Sequence, residues 1–331
     1  MSASGRQVGL EMEQGSEAAL SEVADPGTTV AAAEAWQLLL DLRRLVDEGV
    51  DPPSGLALIE GRWRPADPRS ADLHLRGECE VRDARWALAP DARALLELHL
   101  PQALCPRGER HIVAILGQSL DGFIATRSGH SRYINGEASL IHLHRLRALS
   151  DAVVIGVGTA LADSPRLTTR HVPGPHPVRV VIDPRGRLPA GSGLLDDGAG
   201  PTFVVRGGDG PSKPIRLSAQ ATVLHLPASA AGIEPRDLVA ALAARGLTRI
   251  LVEGGGCTVG RFLDAGMLDR LQLAVSPLIL GAGRPALPVT PVERLDQALR
   301  PACRSYPMGS DVLFDLRPRL NAGAATEPRP C

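Results

Sequence analysis

The chain has 331 residues, a formal net charge of −1 and only 3% aromatic residues. This length predicts about two domains with a sizeable core, while the balanced charge and the few aromatic side chains disfavour nucleic acid as a partner. The chain has no run of about 18 apolar residues, which a membrane-spanning helix needs, and its polar, acidic N-terminus is unlike a secretory signal.

The cysteines and histidines do not form a metal-binding pattern. The five cysteines are scattered and include no C-x-x-C pair, which predicts a reducing compartment, the cytoplasm, and no disulfide framework. His142 and His144 lie two apart in a predicted helix, so their side chains point about 200° apart. We interpret both as surface or core-edge histidines, and we expect no metal.

The first third of the chain differs from the rest in composition. Residues 1–30 are rich in Ser, Glu, Gly and Ala, which predicts disorder. Leucines at helical spacing predict a helix over 31–48. All three tryptophans precede residue 108, where we place a boundary. Residues 31–108 are therefore an N-terminal extension or small domain, whose fold and role the sequence leaves open.

From His111 onward, apolar runs alternate with helical patterns. Strands are predicted over 111–116, 152–157, 178–182, 202–205, 221–226, 271–275, 278–280 and 312–316. Helices are predicted over 137–149, with Asn135 as N-cap, and over 235–245. Residues 319–331 are predicted to be a tail. Alternation of this kind predicts an α/β sheet with helices on its faces.

Residues 250–266 combine a short apolar run, Glu253, three glycines and a segment with apolar residues at helical spacing. The pattern predicts a strand, a glycine turn and a helix. Free amides at a helix start favour an anion such as a phosphate, and ligands lie at the carboxyl ends of strands in such sheets. A tight turn without any ligand explains the pattern equally well.

Several motifs in the second part resemble one family. The motifs are GQSLDGFIA at 117–125, SGHSRY at 128–133, LHRLRALSDA at 143–152, GVGTALADSPRLT at 156–168, VID at 181–183, EGG at 253–255 and SPLILG at 276–281. Residues 109–318 thereby resemble the reductase domain of riboflavin biosynthesis, the C-terminal half of the bifunctional pyrimidine deaminase/reductase. The resemblance implies a dihydrofolate reductase-like fold: a mixed, mostly parallel sheet with helices on both faces.

The same resemblance implies an NADPH-dependent reduction of a phosphoribosylaminopyrimidine, of the 5-amino-6-(5-phosphoribosylamino)uracil reductase type. Hydride transfer to the ribose C1′ would convert a ribosylamino into a ribitylamino group. The cofactor contacts it implies are Gly117, Tyr133, Thr159, Asp163, Gly254, Gly255, Gly256, Cys257, Thr258, Val259, Gly260 and Arg261. The substrate contacts it implies are Ser131, Arg147, Leu167, Arg170 and Glu253. We expect Glu253 and Asp121 to be the carboxylates near the sugar, for proton handling or hydroxyl orientation, although Asp121 is also a good turn former. The family's dimerisation implies a homodimer, for which the apolar run 271–287 offers a patch.

Three departures from the family pattern leave alternatives open. Residues 1–108 contain neither H-x-E nor P-C-x-x-C, the zinc-deaminase signature, so we expect the reduction alone. Phe123 and Tyr133 stand where a basic residue and a tryptophan are common. A stand-alone paralogue acting on a related pterin, pyrimidine or secondary-metabolite substrate therefore remains possible, as does a non-catalytic nucleotide-binding module.

Overall fold

The computed structural model describes residues 29–51, 53–59, 62–67, 71, 73–76, 80–83, 87–132, 134–208 and 215–318. The predictions for residues 1–28, for Tyr133 and for the tail at 319–331 lie outside these ranges. Within the ranges, no helix is both long enough and apolar enough to cross a bilayer.

The N-terminal part pairs two helices with short strands. Its elements are β1 (Thr29–Val30), α1 (Ala32–Asp47), β2 (Gly55–Ile59), β3 (Arg62–Pro65), β4 (Leu73–Arg76), β5 (Glu80–Asp83), β6 (Ala87–Leu88) and α2 (Pro90–Ala103). Helix α1 forms as predicted because Leu38, Leu39 and Leu42 share one buried face. The strands β3-β2-β4-β5 form a small antiparallel sheet.

The second part begins at β7. Its strands are β7 (His111–Ser119), β8 (Phe123–Thr126), β9 (Ala152–Gly156), β10 (Val178–Ile182), β11 (Thr202–Gly207), β12 (Ile215–Arg216), β13 (Ala221–Leu226), β14 (Ala228–Ser229), β15 (Gly232–Ile233), β16 (Arg249–Glu253), β17 (Arg270–Ser276), β18 (Gly283–Pro285), β19 (Ala302–Met308) and β20 (Asp311–Arg317). Its helices are α3 (Glu137–Leu149), α4 (Val157–Asp163), α5 (Gly193–Asp196), α6 (Pro235–Ala243) and α7 (Gly256–Asp264), with a 3₁₀ turn at Leu295–Gln297.

Among the described residues, ten strands join in the order β12-β13-β11-β10-β9-β16-β7-β17-β20-β19. The strands from β13 to β17 in this order run parallel, and β12, β20 and β19 are antiparallel additions at the edges. The predicted mixed, mostly parallel α/β sheet is confirmed. Strand β16 is buried along its whole length, as expected of a parallel strand covered on both faces.

Successive side chains of the central strands point to opposite faces of the sheet and pack into two separate cores. One core joins Ile112, Val154 and Val252 to helices α6 and α7, and the other joins Val113, Val153 and Leu251 to helices α3, α4 and α5. The period-2 alternation of strand side chains explains this division. Helices α1 and α2 pack beside α3, in a third core that includes Ala148 and Leu149.

Some predicted elements are wrong. Residues 278–280 form no strand: their backbone instead bonds to residues 120 and 121 of the β7–β8 turn. The N-cap of α3 is Gly136 rather than Asn135, because the Asn135 amide donates to the Ala274 carbonyl at 2.9 Å. Asp311 accepts from the Gly136 amide and the Ser139 hydroxyl in its place. Strand β19 was not predicted.

Candidate active site

The candidate site lies at the carboxyl edge of the central parallel strands. Strand β16 ends at Glu253, and helix α7 begins at Gly256. The neighbouring strand, β9, ends at Gly156, and helix α4 begins at the next residue. Two strand-to-helix turns therefore meet side by side, in the position where ligands bind in open α/β sheets.

Glu253 forms a bidentate ion pair with Arg147, which lies in the last turn of α3. Arg147 donates from Nε to Oε1 at 2.7 Å and from Nη2 to Oε2 at 2.6 Å, and both side chains are only 7% exposed. Although burial opposes its charge, the adjacent Glu253 carboxylate raises the pKa of Arg147 above its ordinary value. The arginine fork thus fixes the carboxylate in one orientation.

Arg170 lies close to this pair on an exposed segment. Its Nη1 donates to the Thr168 hydroxyl at 2.8 Å, while the Thr168 carbonyl accepts from Arg147 Nη1 at 3.1 Å. Burial, followed by the positive charges of Arg147 and Arg166, lowers the pKa of Arg170. Arg147 and Arg170 therefore both contact Thr168, and Arg166 adds to the positive charge felt by Arg170, which favours an anionic group such as a phosphate.

His144 supports the same segment from beneath. Its Nδ1 accepts the Arg170 backbone amide at 3.0 Å, so a neutral ring carries its proton on Nε2. Burial, with the charges of Arg147 and Arg170, lowers the pKa of His144 to about 3. The prediction of surface or core-edge histidines is wrong, since His142 and His144 are both fully buried.

The glycines after Glu253 allow close approach by other parts of the protein. Gly254 has φ +78°, and a Cβ there would lie 2.6 Å from Thr159 Cγ2. Gly255 donates its amide to the Thr159 hydroxyl at 2.8 Å, and a Cβ on Gly256 would lie 2.2 Å from the Ala286 carbonyl oxygen. These contacts agree with the tight-turn interpretation. The Gly256 and Cys257 amides, in the first turn of α7, precede the helix's own hydrogen bonds.

The two helix starts pack reciprocally. Thr159 of α4 contacts the glycine turn before α7. In return, Thr258 of α7 lies against Gly156, where a Cβ would be only 2.6 Å from the Thr258 hydroxyl. The next residues of α7 face inward: Val259 is fully buried, and a Cβ on Gly260 would meet the Pro288 carbonyl at 2.6 Å. Arg261 reaches Glu234 at 3.5 Å instead.

Asp121 connects two loops at this edge. Its carboxylate accepts from the Ser119 hydroxyl at 2.6 Å, from the Leu280 amide at 3.1 Å and from the Gly281 amide at 2.7 Å. The Ser119 hydrogen bond, with the backbone amides of Leu280 and Gly281, lowers the pKa of Asp121. These bonds give Asp121 a loop-connecting role, as its alternative interpretation as a turn former suggested.

The other predicted residues are more scattered. Gly117 lies in β7 against the Asn135 side chain, and Leu167 is buried with φ +57°. Ser131 is half-buried between β8 and α3, and Asp163 is exposed at the end of α4. Among the described residues, no hydrogen bond or ion pair joins Ser131 or Asp163 to the Arg147–Glu253 pair.

Sequence reasoning missed Thr168 and His144. Thr168 connects both arginines, and its place two residues before Arg170 was an available signal. For His144 the sequence holds no such signal, because helical spacing alone cannot show that a side chain reaches a loop 26 residues later.

The sequence model of the family described as RibD C-terminal domain matches residues 110–312. The 2,5-diamino-6-ribosylamino-4(3H)-pyrimidinone 5′-phosphate reductase of Methanothermobacter thermautotrophicus is 34% identical over 212 residues, which cover 62% of this chain and 96% of that protein. The riboflavin biosynthesis protein RibD of Mycobacterium tuberculosis is 32% identical over 285 residues, which cover 81% of this chain and 74% of that protein.

Solved structures agree in fold. Acinetobacter baumannii RibD has a TM-score of 0.55 at 26% identity, with 70% of this chain and 65% of that chain covered. The deaminase/5-amino-6-(5-phosphoribosylamino)uracil reductase of Thermotoga maritima has a TM-score of 0.54 at 22% identity, with 71% and 64% covered. The chain thus covers less than two thirds of the length of each of these two solved chains. The family resemblance predicted from the motifs is confirmed, and the chain belongs to the RibD C-terminal domain family.

Proposed function

We propose that the chain catalyses the NADPH-dependent reduction of a phosphoribosylaminopyrimidine, turning a ribosylamino into a ribitylamino group. Family membership makes it an oxidoreductase of the riboflavin-biosynthesis type. The observation that carries the proposal is the buried Arg147–Glu253 pair, which lies between the glycine turn of α7 on one side and Arg170 on the other.

The start of α7 suits a nicotinamide cofactor. The Gly256 and Cys257 amides lie at the N-terminus of α7, where the helix dipole is positive and favours the phosphate groups of the cofactor. Thr159 fixes the turn before these amides. NADPH supplies the hydride when it is bound. The protein's part is to hold the reacting sugar carbon in line with that hydride.

The substrate side uses the arginines unequally. Two Arg147 nitrogens already serve Glu253, so its main role is to orient this carboxylate toward a ribose hydroxyl, whose proton the remaining oxygen lone pairs accept. Arg170 is exposed and has donors left for the 5′-phosphate. This division replaces the simpler expectation of two equivalent phosphate-binding arginines.

Two pyrimidines fit the family. The Methanothermobacter relative is named for the 2,5-diamino pyrimidinone, and the Thermotoga protein is named for the uracil that follows deamination. We favour the diamino compound, because the relative named for it is matched over 96% of its length.

The experiment is a turnover assay of the full chain with NADPH and each pyrimidine in turn. Arg170→Ala is expected to raise KM for the phosphorylated substrate by about tenfold or more, since a charge-assisted phosphate contact is lost. Arg245→Ala is the matched control, because Arg245 lies just after the end of α6 and its exposed side chain donates to the Ala241 carbonyl of that helix. Turnover of neither pyrimidine, with NADPH still bound, would favour the paralogue on another substrate. Failure to bind NADPH would remove the reductase proposal.

A homodimer through the sheet is part of the proposal. Helices α6 and α7 cover the centre of one face of the sheet. On the same face, the side chains of Val312 and Phe314 in strand β20 stay 41% and 38% exposed. Val312 pairs with Val275, and Phe314 pairs with Leu273, so the four side chains form a continuous apolar patch. Such a patch suits an isologous contact with a second copy. The cytoplasmic location remains a prediction.

A further inference from the structure

We propose that helix α1 of the N-terminal part positions the substrate side of the site, and that Trp36 and Arg43 are its positioning residues. The inference rests on the proposed function for the identity of the ligand. It assigns a role to a part of the chain that has no deaminase signature.

The first line of support is the contact between α1 and the end of α3. Arg43 Nη1 donates to the Ala148 carbonyl at 2.7 Å and to the Ser150 carbonyl at 3.2 Å. The last carbonyls of a helix lack intrahelical partners and favour a cation. Arg43 therefore completes the helix terminus one residue after Arg147, the residue that orients Glu253.

Helix α2 reinforces this terminus. Gln102 donates to the Ser150 hydroxyl at 2.6 Å, and that hydroxyl donates to the Leu146 carbonyl at 2.8 Å. Ala148 and Leu149 also pack into the core formed by α1 and α2. The last turn of α3 is thus held by polar and apolar contacts from the N-terminal part.

The second line of support is the segment that carries Arg170. Trp36 Nε1 donates to the Pro173 carbonyl at 3.1 Å, three residues after Arg170, and Val172 packs against the α1–α2 core. Gly174 has φ +144°, and a Cβ there would lie 2.6 Å from Ala148 Cβ and 3.5 Å from Leu40 Cδ2. The segment is therefore held between α1 and the end of α3.

One helix consequently fixes both structures that carry the substrate-side arginines. A loop held before the ligand arrives loses less conformational entropy on binding, and this raises affinity. Loss of the hold is therefore expected to weaken phosphate binding while leaving the cofactor side, at α7, unchanged.

The test compares two tryptophans. Trp36→Phe keeps the packed ring but removes the donor to Pro173. Trp63→Phe is the matched control, because Trp63 is also buried and its Nε1 donates to the Glu34 carbonyl at 3.2 Å, within the N-terminal part itself. Hydrogen exchange of residues 168–176 and calorimetric binding of ribose 5-phosphate and of NADPH are measured on the full chain, with Arg43→Lys as a second variant.

For Trp36→Phe we expect severalfold faster exchange in 168–176 and about fivefold weaker ribose 5-phosphate binding, as for the loss of one hydrogen bond. NADPH affinity should not change, and Trp63→Phe should behave as the unmodified chain. In turnover, KM for the pyrimidine should rise at constant kcat. Equal exchange in the two tryptophan variants would overturn the inference. Because exchange needs no ligand, a chain that fails to reduce either pyrimidine yet shows the exchange difference would lose the proposed function and keep the positioning role.

Discussion

At the scale of single residues, the charges of Arg147 and Glu253 depend on each other. Glu253→Gln leaves the Arg147 guanidinium buried without its counter-charge, which should lower the free energy of unfolding by about 3–5 kcal/mol and abolish turnover. Urea denaturation and NADPH oxidation measure the two effects.

The double variant Arg147→Met/Glu253→Leu separates the two roles. Replacing both charges with apolar side chains of similar size removes the buried charge, so its stability should exceed that of Glu253→Gln while turnover stays absent. A Glu253→Gln protein as stable as the unmodified chain would show that the pair is well solvated, against its 7% exposure.

At the scale of elements, the packing of α7 onto its neighbours depends on a missing side chain. Gly256→Ala would place a methyl group 2.2 Å from a backbone oxygen of Ala286, so α7 must shift and NADPH affinity should fall by about tenfold or more. Gly193→Ala is the matched control, since Gly193 is likewise the first residue of a helix and a Cβ there meets nothing within 4 Å. Loss of NADPH binding in both variants alike would contradict this explanation.

The contact between α2 and α3 predicts sensitivity to acid. His99 and His142 lie with ring centroids 4.9 Å apart, and burial lowers the pKa of His142 to about 4 and that of His99 well below its ordinary value. The unfolded chain takes up these protons near pH 6.5, whereas in the folded chain His142 is protonated only near pH 4 and the pKa of His99 is also well below its ordinary value. The contribution of these neutral histidines to the free energy of unfolding should therefore be fully present above pH 6.5 and be lost as the pH drops toward 4.

His99→Leu tests this sign. No ring nitrogen of His99 has a hydrogen-bond partner among the described residues, so the substitution removes a buried polar group and a titrating site together. The variant should be more stable in urea at neutral pH, with a shallower loss in acid. His130→Leu, at an exposed position, should keep the original pH dependence. An unchanged acid profile for His99→Leu would contradict the assignment.

At the scale of the whole molecule, the uncovered face of β17 and β20 predicts the oligomeric state. Phe314→Lys places a charge in the centre of the apolar patch and should convert a dimer into a monomer in light scattering after gel filtration. Ile59→Lys changes an exposed apolar residue of the N-terminal part, 49% exposed, and should leave the dimer intact. An unmodified chain that is monomeric at all concentrations would remove the homodimer proposal.

The sequence predicted what depends on local pattern. Most strands of the large sheet and the turn after Glu253 follow from short apolar runs and glycines, so they were found with nearly correct bounds. The apolar run 278–280 is wrongly predicted as a strand, because its Leu280 amide donates to the Asp121 carboxylate and its Leu278 carbonyl accepts from the Leu120 amide, rather than pairing with a neighbouring strand. The pairing of Arg147 with Glu253 joins residues 106 positions apart, and no periodicity reports such a distance. The N-terminal fold was equally hidden, since its strands are only two to five residues long.

The exposed Cys257 thiol in the first turn of α7 makes the proposed cofactor position accessible to alkylation. Among the described cysteines, Cys105 is buried and Cys257 and Cys303 are exposed, but burial and the nearby Asp315 raise the pKa of the Cys303 thiol and slow its alkylation. Iodoacetamide followed by mass spectrometry should therefore modify Cys257 before Cys303, and NADPH should protect Cys257 while Cys303 continues to react. One native side chain then acts as an occupancy reporter, with no label to be engineered into the protein.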